Sequence, residues 1–121
     1  MPARVVVVHD DPEFIKRTVT ALVVAGHDVR AFSDTISATE ALRTSQRIEV
    51  LITRIIFGTG QPHGVALAQM ARVKRPGVKV LFVARPEFLA HTEGIGEFLP
   101  IWTATTDIVA AVARMLAEGP P

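Results

Sequence analysis

The sequence predicts an α/β fold with three layers, in which a five-stranded parallel sheet lies between two layers of helices. Short runs of apolar and β-branched residues alternate with longer segments of helical periodicity, the pattern of repeated βα units. Two of these runs, residues 5–8 and 50–52, are apolar throughout, as is typical of strands buried on both faces of a parallel sheet. Because crossovers between parallel strands are right-handed, five such units fit the strand order 2-1-3-4-5.

Turn and cap residues set the limits of each predicted element. Strands are predicted at 4–9, 28–32, 48–54, 78–84 and 97–101. Helices are predicted from Pro12 to about Ala25, from a cap at Ser33 or Asp34 to about Ser45, from Gly64 to Lys74, from Pro86 to about His91, and from a cap at Thr105 or Thr106 onward. The alternating polarity of residues 28–32 indicates a half-exposed edge strand.

Apolar residues at helical spacing predict which side of each helix faces the sheet. These residues are Ile15, Val19 and Leu22; Ile36, Ala41 and Leu42; Leu67, Ala68, Met70 and Ala71; and Ile108, Val109, Val112 and Leu116. Residues 1–118 are therefore expected to form one domain, followed by a tail at 119–121.

Composition excludes several classes of protein. The chain of 121 residues is 49% hydrophobic, which is too apolar for a disordered protein. Its net charge of +1 argues against non-specific binding to nucleic acid, which needs a basic surface. There is no cysteine and no apolar run of the roughly 18 residues that a membrane span needs. A soluble, cytoplasmic domain is expected.

Six short motifs follow one another across nearly the whole chain. They are Val-Val-x-Asp-Asp-Pro at 7–12, Gly-His-Asp-Val at 26–29, Val-Leu-Ile-Thr at 50–53, Gly-x-x-Leu-Ala at 64–68, Arg-Pro-Gly-x-Lys-Val-Leu-Phe-Val at 75–83 and Phe-Leu-Pro at 98–100. In this order and spacing they resemble the receiver domains of bacterial two-component response regulators, the CheY-like family. The resemblance implies a flavodoxin-like sheet and a role in phosphorelay signalling.

The resemblance also implies a phosphorylation site at the carboxyl ends of the strands. In the family, an acidic pair holds Mg²⁺, an aspartate accepts the phosphoryl group, and a hydroxyl and a lysine complete the site. The metal and the lysine neutralise phosphoryl oxygens. The matching positions here are His9 and Asp10 for the acidic pair with Asp11 next to it, Arg54 for the acceptor, Ala84 for the hydroxyl and Ile101 for the lysine. One of the five is kept, so the site is expected to be degenerate.

Asp10 and Asp11 have two interpretations. They can bind Mg²⁺, because two carboxylates suffice when a phosphate supplies further ligands. They can instead cap the first helix and pair with Arg54, whose long side chain reaches a carboxylate on a neighbouring strand. The second interpretation is favoured, and no resident metal is expected. His9 is expected to be a hydrogen-bonded residue at a strand end rather than a metal ligand.

Two hypotheses of different classes follow from these residues. The first is a pseudo-receiver without enzymatic activity or cofactor, which binds a histidine kinase or another regulator. The second is a phosphorylatable regulator, or a small phosphate-handling enzyme, that uses Asp10 or Asp11 with Mg²⁺. The arginine at the acceptor position favours the first.

The resemblance implies in addition an interaction surface around the helix before strand five, strand five and the last helix. Phe88, Leu89, Ile101 and Trp102 lie there and are expected to bind a protein partner or to form a weak homodimer, with no contribution from nucleic acid or membrane. Trp102 is equally well explained as a packed aromatic residue. The remaining histidines, His27, His63 and His91, are expected to lie singly on the surface.

Overall fold

Five strands alternate with helices in the computed structural model, which describes residues 3–44, 47–58 and 63–118. The strands are β1 (Arg4–Val8), β2 (Asp28–Phe32), β3 (Val50–Thr53), β4 (Lys79–Ala84) and β5 (Glu97–Pro100). The helices are α1 (Pro12–Val24), α2 (Thr35–Thr44), α3 (Gly64–Lys74), a 3-10 helix (Pro86–Thr92) and α4 (Thr105–Ala117). All strand pairs are parallel and the order is β2-β1-β3-β4-β5, so the predicted fold is confirmed.

The sheet separates two apolar clusters, because successive side chains of a strand point to opposite faces. On β1, Val6 and Val8 join the cluster that contains buried residues of α2 and α3. Val5 and Val7 join the cluster on the other face, with buried residues of α1 and α4. The central strands β1, β3 and β4 are thus buried on both sides, whereas every residue of β2 is exposed or half-buried, as expected for an edge.

The buried face of α2 differs from the prediction. The helix begins at Thr35 after Asp34, whose carboxylate accepts a hydrogen bond of 2.7 Å from the Ser37 amide. This start places Thr35, Ala38 and Leu42 toward the core and leaves Ile36 64% exposed. The expectation that Ile36 faces the sheet was therefore wrong, because the cap sets the rotation of the helix.

The other helices also bury residues beyond the predicted set. Phe14 and Thr18 are buried on α1, where Ile15 and Val19 are half-buried beside Leu22. Ala111 and Met115 are buried on α4 together with Ile108 and Val112, while Val109 and Leu116 pack at the edge of the cluster. On α3, Leu67, Ala68 and Ala71 are buried as predicted and Met70 packs beside them.

Several element ends shift by one residue from their predicted positions. β5 stops at Pro100, because the next residues turn and the Thr103 amide donates a 2.9 Å hydrogen bond to the Pro100 carbonyl. The residue that caps α4 is Ala104, without a side-chain bond, so the predicted cap at Thr105 or Thr106 was wrong. The predicted end of α2 at Ser45 and the tail at 119–121 lie outside the described residues.

The connection between β4 and β5 contains the short 3-10 helix of seven residues in place of a longer α-helix. Its last residue, Thr92, is buried, and the Thr92 hydroxyl donates a 2.8 Å hydrogen bond to the Leu89 carbonyl. The Thr92 carbonyl accepts from the amides of Ile95 and Gly96, which brings the chain back into β5.

Within the described ranges, no helix is both long enough and apolar enough to cross a membrane.

Candidate functional site

Strand register brings two of the predicted site residues together. β1 and β3 are neighbours, with Val8 opposite Thr53 at their carboxyl ends. His9 and Arg54 follow directly, and the Arg54 amide donates a 3.3 Å hydrogen bond to the Val8 carbonyl. Since neighbouring strands are ~4.8 Å apart, a long side chain at 54 easily reaches across to the residues that follow β1.

Arg54 and Asp10 form an ion pair at this edge of the sheet. Nη1 of Arg54 hydrogen-bonds to Oδ1 of Asp10, the contact that the sequence led us to expect. The two side chains are 25% and 36% exposed, so water screens their attraction. Such a pair contributes about 0–1 kcal/mol to folding, and its effect on chemistry at the site is larger than its effect on stability.

The backbone around Arg54 is held by a glycine at the start of α3. A β-carbon added to Gly64 would lie 1.9 Å from the Arg54 carbonyl oxygen, which no real pair of atoms tolerates. The Gly64 amide also donates a 2.7 Å hydrogen bond to the carbonyl of Ile55. The Thr53 hydroxyl donates a 2.9 Å bond to the same Arg54 carbonyl. These contacts fix the backbone of Arg54, from which the side chain extends to Asp10.

Asp11 has a different task from Asp10. It is the cap of α1, where its Oδ1 accepts a 3.0 Å hydrogen bond from the Glu13 amide and Pro12 occupies the first helical turn. A carboxylate at a helix amino terminus is stabilised by the bond and by the helix dipole. The two adjacent carboxylates therefore diverge, one toward Arg54 and one toward the helix.

His9 is the buried member of the site, at 1% exposure. Its Nδ1 accepts a 3.1 Å hydrogen bond from the Asp11 amide, and its ring stacks on Phe14 with centroids 4.1 Å apart. Burial, reinforced by the positive charge of Arg54, lowers the pKa of His9 to about 4. The ring is therefore neutral at pH 7, and its 3.9 Å approach to Asp10 is not an ion pair there. His9 is the hydrogen-bonded strand-end histidine that was expected.

The ends of β4 and β5 are apolar. Ala84 is buried at the last position of β4, opposite Pro100. Ile101 follows β5 and packs against the apolar cluster that includes α1 and α4. Neither residue offers a hydroxyl, an amine or a carboxylate, so the polar contacts of the site belong to the ends of β1 and β3.

The donor set at this edge does not fit a Mg²⁺ ion. Mg²⁺ is bound by oxygen ligands, and here one oxygen of Asp10 is taken by a guanidinium while Asp11 caps α1. Among the described residues, no group of three or more histidine, cysteine or acidic side chains is placed to hold a metal ion.

A cavity of about 470 Å³, lined in part by Val80, Glu97 and Met115, lies at the opposite edge, where β4 and β5 begin.

The four residues proposed as an interaction surface divide by exposure. Leu89 is 50% exposed and Trp102 is 71% exposed, which leaves their side chains available to another molecule. Phe88 packs against the cluster on the α2–α3 face, and Ile101 packs against the opposite cluster. Trp102 is thus not a packed core residue, which excludes one of the two interpretations that the sequence offered for it.

Two histidines that the sequence places 28 positions apart meet in the structure. The rings of His63 and His91 are 6.1 Å apart, edge to face, and His91 lies 6.1 Å from the Phe88 ring. His63 also caps α3, since its Nδ1 accepts a 3.2 Å hydrogen bond from the Val65 amide. His91 is exposed and His63 is half-buried, so the expectation that was wrong for this pair is that the two lie singly. The sequence offered one signal for the cap, because His63 directly precedes Gly64, the predicted first residue of α3.

Comparison with known proteins identifies the fold. No protein-family model matches the chain, and no curated protein matches it significantly. Among solved structures, a response regulator receiver protein from Sinorhizobium medicae WSM419 has a TM-score of 0.85 at 21% identity, over 95% of this chain and 94% of that one. A CheY-like response regulator receiver domain protein from Methanospirillum hungatei JF-1 has a TM-score of 0.85 at 17% identity, over 96% and 94%. An adenylate cyclase from Rhodopirellula baltica has a TM-score of 0.84 at 20% identity, over 96% and 88%.

At these identities the likeness establishes the fold alone. The chain has the fold of response regulator receiver domains over nearly its whole length, which is the fold that the sequence motifs implied.

Proposed function

We propose that this chain is a pseudo-receiver, a cytoplasmic protein–protein interaction module of a two-component or phosphorelay pathway that takes no phosphoryl group at the usual position. The observation that carries the proposal is the Asp10–Arg54 ion pair at the carboxyl ends of β1 and β3. The receiver fold supports the signalling context, and the residues at this edge support the loss of phosphorylation.

An aspartyl phosphate needs a carboxylate as nucleophile, and Arg54 cannot act as one. Its guanidinium is a cation without an acceptor atom. In contact with Asp10, it places a permanent positive charge beside the carboxylate that would otherwise bind a metal ion. The pair thus occupies the site with a cation supplied by the chain itself, and the domain keeps one state without a phosphorylation cycle.

The ends of β4 and β5 point to the same conclusion. A phosphoryl group bound at this edge would find no lysine to neutralise it at 101 and no hydroxyl to bond it at 84. Both positions carry buried or half-buried apolar side chains that belong to the core. The proposal therefore assigns no enzymatic activity and no cofactor to the chain.

On this proposal, the chain transmits a signal by binding another protein. The exposed side chains of Leu89 and Trp102 provide apolar area on the segments before and after β5. Aromatic anchors of this kind dominate the energetics of protein interfaces. We assign to this surface a protein partner of the pathway, such as a histidine kinase or another regulator, and a weak homodimer.

The experiment that tests the proposal is incubation with a small phospho-donor and Mg²⁺, followed by intact mass measurement. We expect no increase in mass. An increase of about 80 daltons, located by fragmentation to Asp10 or Asp11, would favour the alternative of a phosphorylatable regulator or phosphate-handling enzyme. Asp11→Asn is the matched control, because asparagine still caps α1 but cannot take a phosphoryl group, which leaves Asp10 as the remaining candidate of the two.

A further inference from the structure

We propose that His63 and His91 form a proton-sensitive connection between the amino end of α3 and the 3-10 helix, and that protonation loosens the segment that carries Phe88 and Leu89. The two rings lie edge to face, and one of them caps a helix while the other contacts Phe88. The histidine pair shares no residue with the Asp10–Arg54 pair.

The cap at His63 works only while the ring is neutral. Its Nδ1 accepts the hydrogen bond from the Val65 amide, so the proton of the neutral ring is on Nε2. A second proton would occupy Nδ1 and remove the acceptor. It would also place a positive charge at the positive end of the helix dipole. Protonation of His63 is therefore opposed by the structure of α3 itself.

His91 opposes the same protonation from across the contact. Burial and the neighbouring His91 lower the pKa of His63 below its usual value of 6.5. Residues 59–62, which precede His63, contain no ionisable side chain. On the segment of His91, Glu87 pairs with Arg85, and Glu93 follows the helix. Two positive imidazoles at this separation repel each other, so the contact is favourable only when at least one is neutral.

The 3-10 helix is the element able to respond. It has seven residues, its amino-terminal cap makes no side-chain hydrogen bond, and its hydrogen-bond geometry is intrinsically weaker than that of an α-helix. α3 is longer and is anchored by buried Leu67, Ala68 and Ala71. Repulsion between the histidines is therefore relieved by movement of the 3-10 helix, which displaces Phe88 and Leu89 with it.

The test is an NMR titration of the whole chain from about pH 8 to pH 5, the range in which histidines change charge. We expect the amides of Val65, Phe88 and Leu89 to share a transition with the midpoint of His63. His63→Asn keeps a capping side chain but cannot take the proton, so this shared transition should disappear, and only the direct effect of His91 on its neighbours Phe88 and Leu89 should remain. His91→Asn should move the His63 midpoint to higher pH. His27→Asn, which removes a histidine on the far side of the sheet, should leave all of these values unchanged.

Two results would overturn the proposal. One is an unchanged His63 midpoint in His91→Asn, and the other is a pH response of Phe88 and Leu89 that is identical, in size and midpoint, in His63→Asn and in the wild type. The consequence for partner binding rests on the proposed function and is measured separately, as partner capture at pH 7.5 and at about pH 5.5. If the amides titrate as expected but capture is independent of pH, the histidine connection stands and the assignment of Leu89 to the interaction surface fails.

Discussion

The carboxyl edge of the sheet has two halves of different chemistry. The ends of β1 and β3 carry charged residues that neutralise one another, with Arg54 on Asp10 and Asp11 on the amino end of α1. The ends of β4 and β5 carry Ala84 and Ile101, which continue the apolar core. The first half contains its own counter-charges. In the second half, the charged residue that follows β4, Arg85, is exposed and pairs with Glu87.

The two halves of one sheet edge are therefore held by different interactions. In the charged half, both aspartates are exposed and each has a partner within the chain, Arg54 for Asp10 and the amino end of α1 for Asp11. In the apolar half, Ala84 is buried and Ile101 packs at the edge of the core. Under the proposed function, the fold keeps its architecture without the phosphorylation reaction. The exposed apolar residue of that half, Trp102, lies outside the core and is free to contact another protein.

The largest expected effect comes from Gly64→Ala, which tests what holds the charged half in place. The added β-carbon would meet the Arg54 carbonyl at 1.9 Å, and backbone on both sides must move to relieve the contact. We expect a loss of about 3 kcal/mol or more in the free energy of unfolding, measured by urea denaturation. Gly77→Ala is the control, because nothing lies within 4 Å of its added carbon, and it should change stability by less than about 0.5 kcal/mol. Equal effects of the two substitutions would contradict the role given to Gly64.

The next effect in size is the pH dependence caused by His9. Its folded-state pKa of about 4 lies below the value of 6.5 expected in the unfolded chain, so the unfolded chain binds the proton first. Stability from this residue is complete above about pH 6.5 and falls as the pH drops toward 4, by about 3 kcal/mol in all.

His9→Asn should remove most of this slope, because asparagine accepts the Asp11 amide bond but does not titrate. The measurement is chemical denaturation at a series of pH values. Asp and Glu residues contribute to acid unfolding in both proteins, so the difference between them isolates His9. A variant with the full wild-type slope above pH 4 would show that His9 is not the buried base described here.

The sequence was sufficient for the fold because the strands in the centre of the sheet are almost purely apolar, the crossovers between parallel strands are right-handed, and the motifs resemble those of receiver domains. It also predicted that Arg54 pairs with Asp10 or Asp11, since these residues lie just beyond the ends of neighbouring strands, and the structure shows the pair with Asp10. It could not identify the His63–His91 contact, which depends on how a short 3-10 helix folds back toward α3. Nor did it place Ile36 correctly, because the sequence left the cap of α2 open between Ser33 and Asp34, and the structure starts the helix at Thr35 with Thr35, Ala38 and Leu42 buried.

Arg54→Asp tests the charged half with a smaller change in stability. Loss of the ion pair and the new repulsion from Asp10 should cost about 1 kcal/mol. Mg²⁺ should then bind on the order of tenfold more tightly or better, because a competing cation is gone and a carboxylate is added. Isothermal titration with Mg²⁺ measures this directly. Arg54→Met is the matched control that removes the cation without adding a ligand.

The phosphorylation result sharpens the same comparison. Arg54→Asp should still fail to hold a phosphoryl group, since Ile101 supplies no lysine and Ala84 no hydroxyl. Stable phosphorylation of the single variant would show that the apolar half is compatible with the reaction. Equal Mg²⁺ affinity in wild type and Arg54→Asp would remove the basis for a cation supplied by the chain.

The smallest effect on stability is expected from Trp102→Ala in the apolar half. At 71% exposure the indole contributes little to the core, so the free energy of unfolding should change by no more than about 0.5 kcal/mol. Binding should respond far more, since a large exposed aromatic residue is a typical anchor of an interface. Sedimentation velocity measures self-association, and capture of a histidine kinase partner measures the interaction with the pathway. Val73→Ala removes another apolar side chain, 82% exposed on α3, and should alter neither result. If Trp102→Ala behaves like Val73→Ala in both measurements, the interaction surface lies elsewhere, and only the charged half of the sheet edge retains an assigned role.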